Sequence, residues 1–596
     1  MKESAFKIIR KELGAMIASS PLQFASTFFL SCFDALIAFG YTLAMKLLID
    51  ALQVITDGVT PVYQAFAFFA AMILLRDIVN GILNYFYDVQ FMKVQAKTKS
   101  RLIEKVSHLN VLSFEDPQLL DSINKAKQGI ENTVQMLTSI ELVVVNGFVY
   151  LILVGVYFSL LHPLLLVVLV MSFVPSCFSY FFKVKINTET ENAIASERRK
   201  MNNYDNAISN LKTFKETRHL NVVSFFKNNF VKALINFNRH KTKEARHYSF
   251  IDFVVSFVSF LSFIATIMVL YFLVVKGEIN AGAIAAVIAS ISKLHDSLSE
   301  IFNVHITTAV SSYAGLKNYH DVMTLNTKTN VENAVVMKQV DSSTQGRLVF
   351  DNVSFKYPNA EKNALTNISF DTNGARLICV VGENGSGKST LSKLILGLYG
   401  ATSGNITAFF PSPKTEDKAV KSYKEKVSSV FQDFCKYAVT LSENVLISKS
   451  KTALVLSSGN AENKSLAALN DISETLPENE NTLLSKEFGG VDLSGGQWQR
   501  LAIERGINRS GELIVFDEPT SAIDPVFEMQ MLENIMSEEN HNLKFVITHR
   551  IGIATKADMI LVMKEGTLVE SGTHNELYKL GGEYTRLFDS QSQWYR

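Results

Sequence analysis

Apolar and polar positions follow two different rules in the two halves of this chain. Between residues 22 and 307 long, nearly unbroken apolar runs dominate, whereas beyond residue 345 short apolar runs alternate with glycine-rich and polar turns. A bilayer is crossed by about 20 helical residues. Six stretches meet that length, near 22–50, 62–88, 137–161, 164–182, 250–275 and 281–307. The last is interrupted by Lys293, His295, Asp296 and Glu300, which suits a helix facing a solvated cavity. The second half reads as an ordinary α/β domain, because runs such as Leu377–Val381 and Leu513–Phe516 have the length of buried strands.

The connections between the six stretches are unequal. Those near 51–61, 162–163 and 276–280 are short, and Lys276 is their only Lys or Arg. Those near 89–136 and 183–249 are long, carry Lys93, Lys97, Lys99, Arg101, Arg198, Arg199, Lys200, Lys241, Lys243 and Arg246, and hold few helix breakers. They are expected to extend the spans as helices, with turning points at Phe114–Pro117 and around Asn203–Ala207. Positive charge favours the cytoplasmic side. The N-terminus, both long loops and, after six crossings, the second half are therefore expected in the cytoplasm. Residues 1–21 read as an amphipathic segment on the membrane surface. Asp34, Arg76, Asp77, Glu141 and Asp252 fall inside apolar runs; each is a structural ion pair, a mark that the span boundary lies elsewhere, or part of a polar path through the membrane.

Composition narrows the functional classes. The chain of 596 residues is 47% hydrophobic with a formal net charge of +1, which argues against nucleic acid as a partner. Its four cysteines, Cys32, Cys177, Cys379 and Cys435, are far apart and lack metal-ligand spacing. The start, Met1-Lys2-Glu3-Ser4, is not expected to be a cleavable signal, since no small-residue cleavage site precedes a long apolar span.

The second half carries the chemistry. Leu377–Val381 runs into Gly382-Glu383-Asn384-Gly385-Ser386-Gly387-Lys388-Ser389-Thr390 and then into a helical pattern. Strand, glycine loop and helix in this order form a phosphate-binding loop, in which backbone N–H groups surround phosphate oxygens. Lys388 is expected on the β- and γ-phosphates and Ser389 on Mg²⁺. Leu513–Phe516 ends in Asp517 and Glu518. Asp517 is expected to hold Mg²⁺, and Glu518 to deprotonate the attacking water. Gln432 is placed to touch both Mg²⁺ and that water, and His549, after another apolar run, to hold the γ-phosphate and Glu518 in line. Tyr357, after the run ending at Phe355, is a candidate for stacking on adenine. Leu493-Ser494-Gly495-Gly496-Gln497 opens a helix and forms a second anion-reading turn. Because one P-loop suffices for one ATP, this turn makes most sense on ATP held by another copy. Asp524, in Ser521–Asp524, is expected where two such sites communicate.

This ordered set resembles the nucleotide-binding domain of ABC transporters, and six spans ahead of it resemble an ABC exporter half-transporter. The resemblance implies a membrane all-α six-helix exporter domain followed by an α/β P-loop NTPase domain. It divides the chain into residues 1–21, a transmembrane domain at 22–317, a linker at 318–345 and the nucleotide-binding domain at 346–596. It further implies ATP and Mg²⁺ as ligands, a homodimer with two composite ATP sites, location in the cell membrane, and coupling helices near 114–126 and 203–212. Phe431–Tyr437, Leu493–Arg500 with Trp498, and Asp517–Pro525 with Pro519 are similar to nisin-type lantibiotic exporters, which implies an exported peptide as cargo and peptide-modifying enzymes as partners on the cytoplasmic side. About 21 residues precede the first span, too few for the cysteine peptidase domain that some peptide exporters carry. A multidrug or lipid exporter, an importer on the same fold, and an ATP-gated channel or regulator share these motor motifs and stay open.

Overall fold

A computed structural model describes residues 4–53, 59–210, 213–301, 305, 307–325, 335–340, 346–358, 360–411, 423–448, 468–509, 511–518 and 543–592. The chain divides into two compact units. One comprises Met1–His108 and Gln118–Thr327, the other Leu109–Pro117 and Lys328–Arg596.

The first unit is helical. Its elements are α1 (Ala5–Ser19), α2 (Pro21–Gln53), α3 (Thr60–Ser107), α4 (Pro117–Gln128, shared with the boundary), α5 (Ile130–Leu142), α6 (Phe148–Leu161), α7 (Pro163–Ser209), α8 (Phe214–His219), α9 (Val223–Val275), α10 (Ala281–Glu300) and α11 (Thr307–Thr324). Among the described residues three helices, α2, α3 and α9, are long and apolar enough to cross a membrane. The stretches 89–107, 183–209 and 223–249 are helical continuations of apolar runs. Pro163 stands at the start of α7, where its missing N–H costs nothing, and His162 caps that helix by accepting from Leu164 N at 3.1 Å.

Two features depart from the sequence reading. The run 137–161 is not one regular helix: a π-helical turn at Val143–Gly147 separates α5 from α6. The run 281–307 ends as α10 at Glu300, and α11 starts at Thr307. Apolar spacing cannot reveal one wide turn, which shifts the helix face without changing composition. The bundle closes on Ala35, Tyr150, Val154, Phe158, Leu270 and Val287. α5 and α11 approach through glycines: a Cβ on Gly129 would lie 2.7 Å from Gly315 Cα. Much of the outer apolar surface is exposed, as at Phe253, Phe257, Phe260, Met268 and Tyr271, which suits contact with lipid.

The second unit is α/β. A six-stranded sheet has the order β10-β9-β4-β8-β7-β6, built from β4 (Leu377–Gly382), β6 (Val427–Val430), β7 (Leu513–Asp517), β8 (Leu543–Ile547), β9 (Met559–Lys564) and β10 (Thr567–Gly572). All neighbours are parallel except β9 and β10. β4, β7 and β8 are buried along their whole length, as expected for central strands of a covered parallel sheet. A second sheet, in the order β1-β5-β2-β3, uses β1 (Val336–Val340), β2 (Arg347–Phe355), β3 (Leu365–Asp371) and β5 (Ser403–Pro411). Phe350 and Phe370 stack across β2 and β3 at 4.5 Å. The span 318–345 thus contains the end of α11 and strand β1, besides residues outside the described set.

Residues 109–117 belong to this second unit. Leu112 packs on its core, and Glu115 Oε1 accepts from Tyr399 OH and, at 3.1 Å, from Lys393 Nζ. The Tyr399 hydroxyl, with Lys393 beside it, holds the Glu115 carboxyl below its ordinary value. The other expected turning point, Asn203–Ala207, instead lies inside α7, which runs on to Ser209 because this stretch holds no Gly or Pro; the chain leaves the helix at Asn210, and 211–212 lie outside the described residues.

Candidate ATP-binding site

β4, a central strand, delivers the chain to the C-terminal end of the parallel strands and stops at Gly382. The next helix, α12 (Lys388–Ile395), starts at Gly387, whose φ of 98° lies in the left-handed region that glycine tolerates. Gly382 is equally constrained, since a Cβ there would lie 2.2 Å from Met563 O. Between them the loop curls so that Lys388, 4% exposed, folds back over it. Its Nζ donates to Gly382 O at 3.0 Å and Glu383 O at 2.8 Å. Burial lowers the Lys388 pKa, while Glu518 and Asp517 pull it up. The Gly566 N–H donates to Ser386 O at 3.1 Å, so the β9–β10 turn props the loop from below.

A cavity of about 680 Å³ opens above the loop. Asn384, Gly385, Gly387, Lys388, Ser389 and Thr390 line one side; Gln432, Glu518 and His549 face them. Gly382, Glu383 and Ser386 do not line it and form the loop's supporting side. Glu518 is the focus. His549 Nε2 lies 2.7 Å from its Oε1, and Gln432 Nε2 donates to its Oε2 at 2.8 Å. Its backbone has φ 47°, a strained setting for a glutamate, anchored by Glu518 N donating to Ile547 O at 2.9 Å. Strain retained beside a cavity is the kind of cost that function preserves.

Asp517, one residue earlier, is 7% exposed. Its Oδ2 accepts from Ser392 Oγ at 3.1 Å, and its Oδ1 is buried with no hydrogen-bond partner. Burial raises its pKa, reinforced by Glu518 and opposed by Ser392 and Lys388. A buried carboxylate oxygen without a donor fits a divalent cation, which would replace the missing partner. Ser386 Oγ is likewise buried and unpartnered, next to the loop that would surround phosphate.

Tyr357 lies beside the loop without lining the cavity. Its hydroxyl shares a 3.1 Å hydrogen bond with Thr390 Oγ1, and its ring meets Phe355 and Tyr399 edge-on. Leu493–Gln497 do not line the cavity either. Ser494 caps the helix Gly495–Ile507 in a reciprocal box: Gln497 N donates to Ser494 Oγ at 3.3 Å and Ser494 N to Gln497 Oε1 at 2.9 Å. Trp498 is buried behind it and donates from Nε1 to Asp492 Oδ1 at 2.8 Å. Asp524 and Pro519 lie outside the described residues.

Several contributors went unmarked in the sequence. Asn363, Ala364, Glu565 and Gly566 also line the cavity. Arg586, on the helix Glu583–Ser592, is hydrogen-bonded to Glu383. Gln591, on the same helix, donates to His549 O and accepts from Ile551 N at 3.0 Å. Only the Glu565-Gly566 pair, between two apolar runs, carries a local signal of a hairpin.

Two family models match this chain: the ABC transporter model at residues 365–521 and the ABC transporter transmembrane region at residues 24–298. The chain belongs to the ABC transporter family. Its membrane and ATP-binding regions are fused, and it is an ATP-driven exporter that couples ATP hydrolysis to transport. As an ABC exporter it is a membrane protein with a cytoplasmic nucleotide-binding domain, of the half-transporter type that is typically dimeric. The subtilin transport ATP-binding protein SpaT of Bacillus subtilis is 26% identical over 91% of this chain and 88% of its own length. The nisin transport ATP-binding protein NisT of Lactococcus lactis subsp. lactis is 29% identical over 64% of this chain and 62% of its own. Relatives named for multidrug export and for lipid A-core flipping match as well. A solved structure of a bacterial Atm1-family ABC exporter with ATP bound shares the fold, with a TM-score of 0.74 at 19% identity, over 96% of this chain and 99% of that one.

Proposed function

We propose that this ABC exporter works as a homodimer and carries a lantibiotic-like peptide out of the cytoplasm. The observation that carries the cargo reading is the match to a subtilin transport protein across 91% of the chain, membrane half included. Trp498 and Pro519, shared with nisin-type exporters, support it from the motor side. The apolar runs support six spans, and the Lys and Arg of the long connections support an N-terminus in the cytoplasm. Peptide-modifying enzymes would meet the chain on that same side.

In the ATP cycle the loop Gly382–Thr390 holds the phosphates, with Lys388 turning from its carbonyl partners to phosphate oxygens. Tyr357 stacks on the base. Ser389, Gln432 and Asp517 would hold Mg²⁺, which neutralises charge on the phosphates when bound. Glu518 takes the proton of the attacking water, while His549 and Gln432 fix its two oxygens. Leu493–Gln497 of the second copy close over the γ-phosphate through backbone N–H groups and Ser494 Oγ, and Asp524 links the two sites. Hydrolysis removes that bridge and lets the copies part.

A multidrug or lipid cargo is the second reading, because relatives with those names also match. ATPase of the purified protein in lipid decides between them. Stimulation and uptake of a lantibiotic-type precursor, without stimulation by dyes or lipid A, is the expected result. Dye or lipid stimulation with an inert response to every peptide overturns the peptide reading.

A further inference from the structure

The sequence leaves Glu141 as a structural ion pair, a sign of a displaced span boundary or part of a polar path, and its surroundings decide against an ion pair. It is 3% exposed, on α5, where α2 and α3 meet that helix. Thr27 Oγ1 on α2 is 2.6 Å from its Oε1, and Gln90 Nε2 on α3 donates to its Oε2 at 2.7 Å. Among the described residues no Lys, Arg or His forms an ion pair with it; Asp252, by contrast, has Lys183 at 2.5 Å.

Thr27 has one hydroxyl hydrogen, and Glu141 Oε1 at 2.6 Å is its nearest acceptor; Gln23 O and Phe24 O, at 3.1 and 3.0 Å, are carbonyls already placed in the helical ladder of α2. Gln90 is wholly buried, and its Oε1 has no partner at all. The junction therefore combines a buried carboxylate without a counter-charge and a buried amide oxygen without a donor. A donor that is also a cation answers both deficits.

We infer that Glu141 and Gln90 form a site for one ammonium or guanidinium group of the cargo. The inference rests on the export reading, not on the peptide reading in particular. ATP supplies the driving energy, so an inorganic coupling ion has no task here, whereas cargo must enter the bundle in every cycle. The junction is sealed by burial and is reached when α2, α3 and α5 separate. The π-helical turn at Val143–Gly147, two residues beyond Glu141, gives α5 a weak point for that movement, and such turns recur at functional sites.

The test uses the full chain in lipid, with three probes: an apolar peptide bearing one Lys, its Nε-acetylated form, and a lipophilic primary amine. Half-saturation of ATPase stimulation is compared between probes within each protein, so the ratio is independent of basal activity. The wild type is expected to prefer the Lys peptide over the acetylated form by about tenfold, the worth of one charge-assisted hydrogen bond. Glu141→Gln is expected to lose that preference. A second measurement needs no variant: carbodiimide labelling of Glu141, read by mass spectrometry, should be slowed by the Lys peptide and not by its acetylated form. An undiminished preference in Glu141→Gln, equal labelling with both peptides, or protection by sodium as strong as by the peptide overturns the site. Peptides that stimulate alike whatever their charge sink the site and leave the peptide reading standing. An inert response to both peptides with Glu141-dependent stimulation by the amine keeps the site and sinks the peptide reading.

Discussion

Replacing Glu518 by Gln is the sharpest perturbation of the ATP site, because the geometry around its two oxygens fixes what is lost. In the wild type each carboxylate oxygen meets one nitrogen, His549 Nε2 at 2.7 Å and Gln432 Nε2 at 2.8 Å. An amide keeps one acceptor oxygen and presents an NH₂ group to the other partner. With the amide oxygen on Gln432 and the NH₂ toward His549, the second contact survives only where His549 Nε2 is the unprotonated nitrogen; where Nε2 carries the proton it breaks, at a cost of about 1.5–3 kcal/mol for a hydrogen bond to a charged group. The proton acceptor disappears as well, and general-base catalysis is worth about 10²–10⁴-fold. The loop and Lys388 are untouched, so nucleotide affinity should change by less than about threefold, within the scatter of a surface change. Phosphate release at saturating Mg-ATP gives kcat, and fluorescent nucleotide titration gives affinity. A kcat reduced by about 10²–10⁴-fold at near-constant affinity is expected. Turnover within about fivefold of wild type would refute the assignment of Glu518 as the base.

Other consequences follow from single contacts. Gly382→Ala places a Cβ 2.2 Å from Met563 O, so ATP binding should vanish and thermal unfolding should fall by about 1–3 kcal/mol equivalent. Asp517→Asn removes a buried charge whose Oδ1 lacks a donor; the protein without Mg²⁺ should be no less stable, while the stabilisation by Mg-ATP, about 2.7 kcal/mol at a hundredfold excess over Kd, should fall in melting curves to that given by ATP alone. Glu115→Ala breaks contacts with Tyr399 and Lys393 at a partly exposed site, which costs about 0–1 kcal/mol of stability. Its main expected effect is on coupling, read as a fall of cargo-stimulated ATPase toward the unstimulated rate.

Legibility in the sequence tracked how local each signal was. The phosphate loop was readable because glycine spacing, a preceding apolar strand and a following helix lie within about 20 residues, the scale of one supersecondary unit. Glu518, Gln432 and His549 were readable as residues after buried strands, since β6, β7 and β8 are neighbours in the sheet and their ends converge. β1 was hidden because Val336-Met337-Lys338-Gln339-Val340 is half polar and gains its identity only by pairing with β5. The π-helical turn at Val143–Gly147 is invisible to apolar periodicity, which registers composition along a run and not its pitch. Arg586 on Glu383 and Gln591 on the His549 backbone depend on contacts across 203 and 42 residues, and no local pattern encodes such pairs. For Glu141 the residue was conspicuous but its partners were not, because Thr27 and Gln90 look like ordinary polar interruptions of apolar helices.

Mixed dimers test the shared ATP site most directly. Lys388→Ala in one tagged copy and Ser494→Arg in a differently tagged copy each disable both sites of their own homodimer. If ATP is held by the loop of one copy and the Ser494 turn of the other, the doubly tagged dimer keeps one intact site, made from the loop of the Ser494→Arg copy and the turn of the Lys388→Ala copy. The account predicts one occluded Mg-ATP per mixed dimer and none in either homodimer. A mixed dimer as empty as its parents would contradict it.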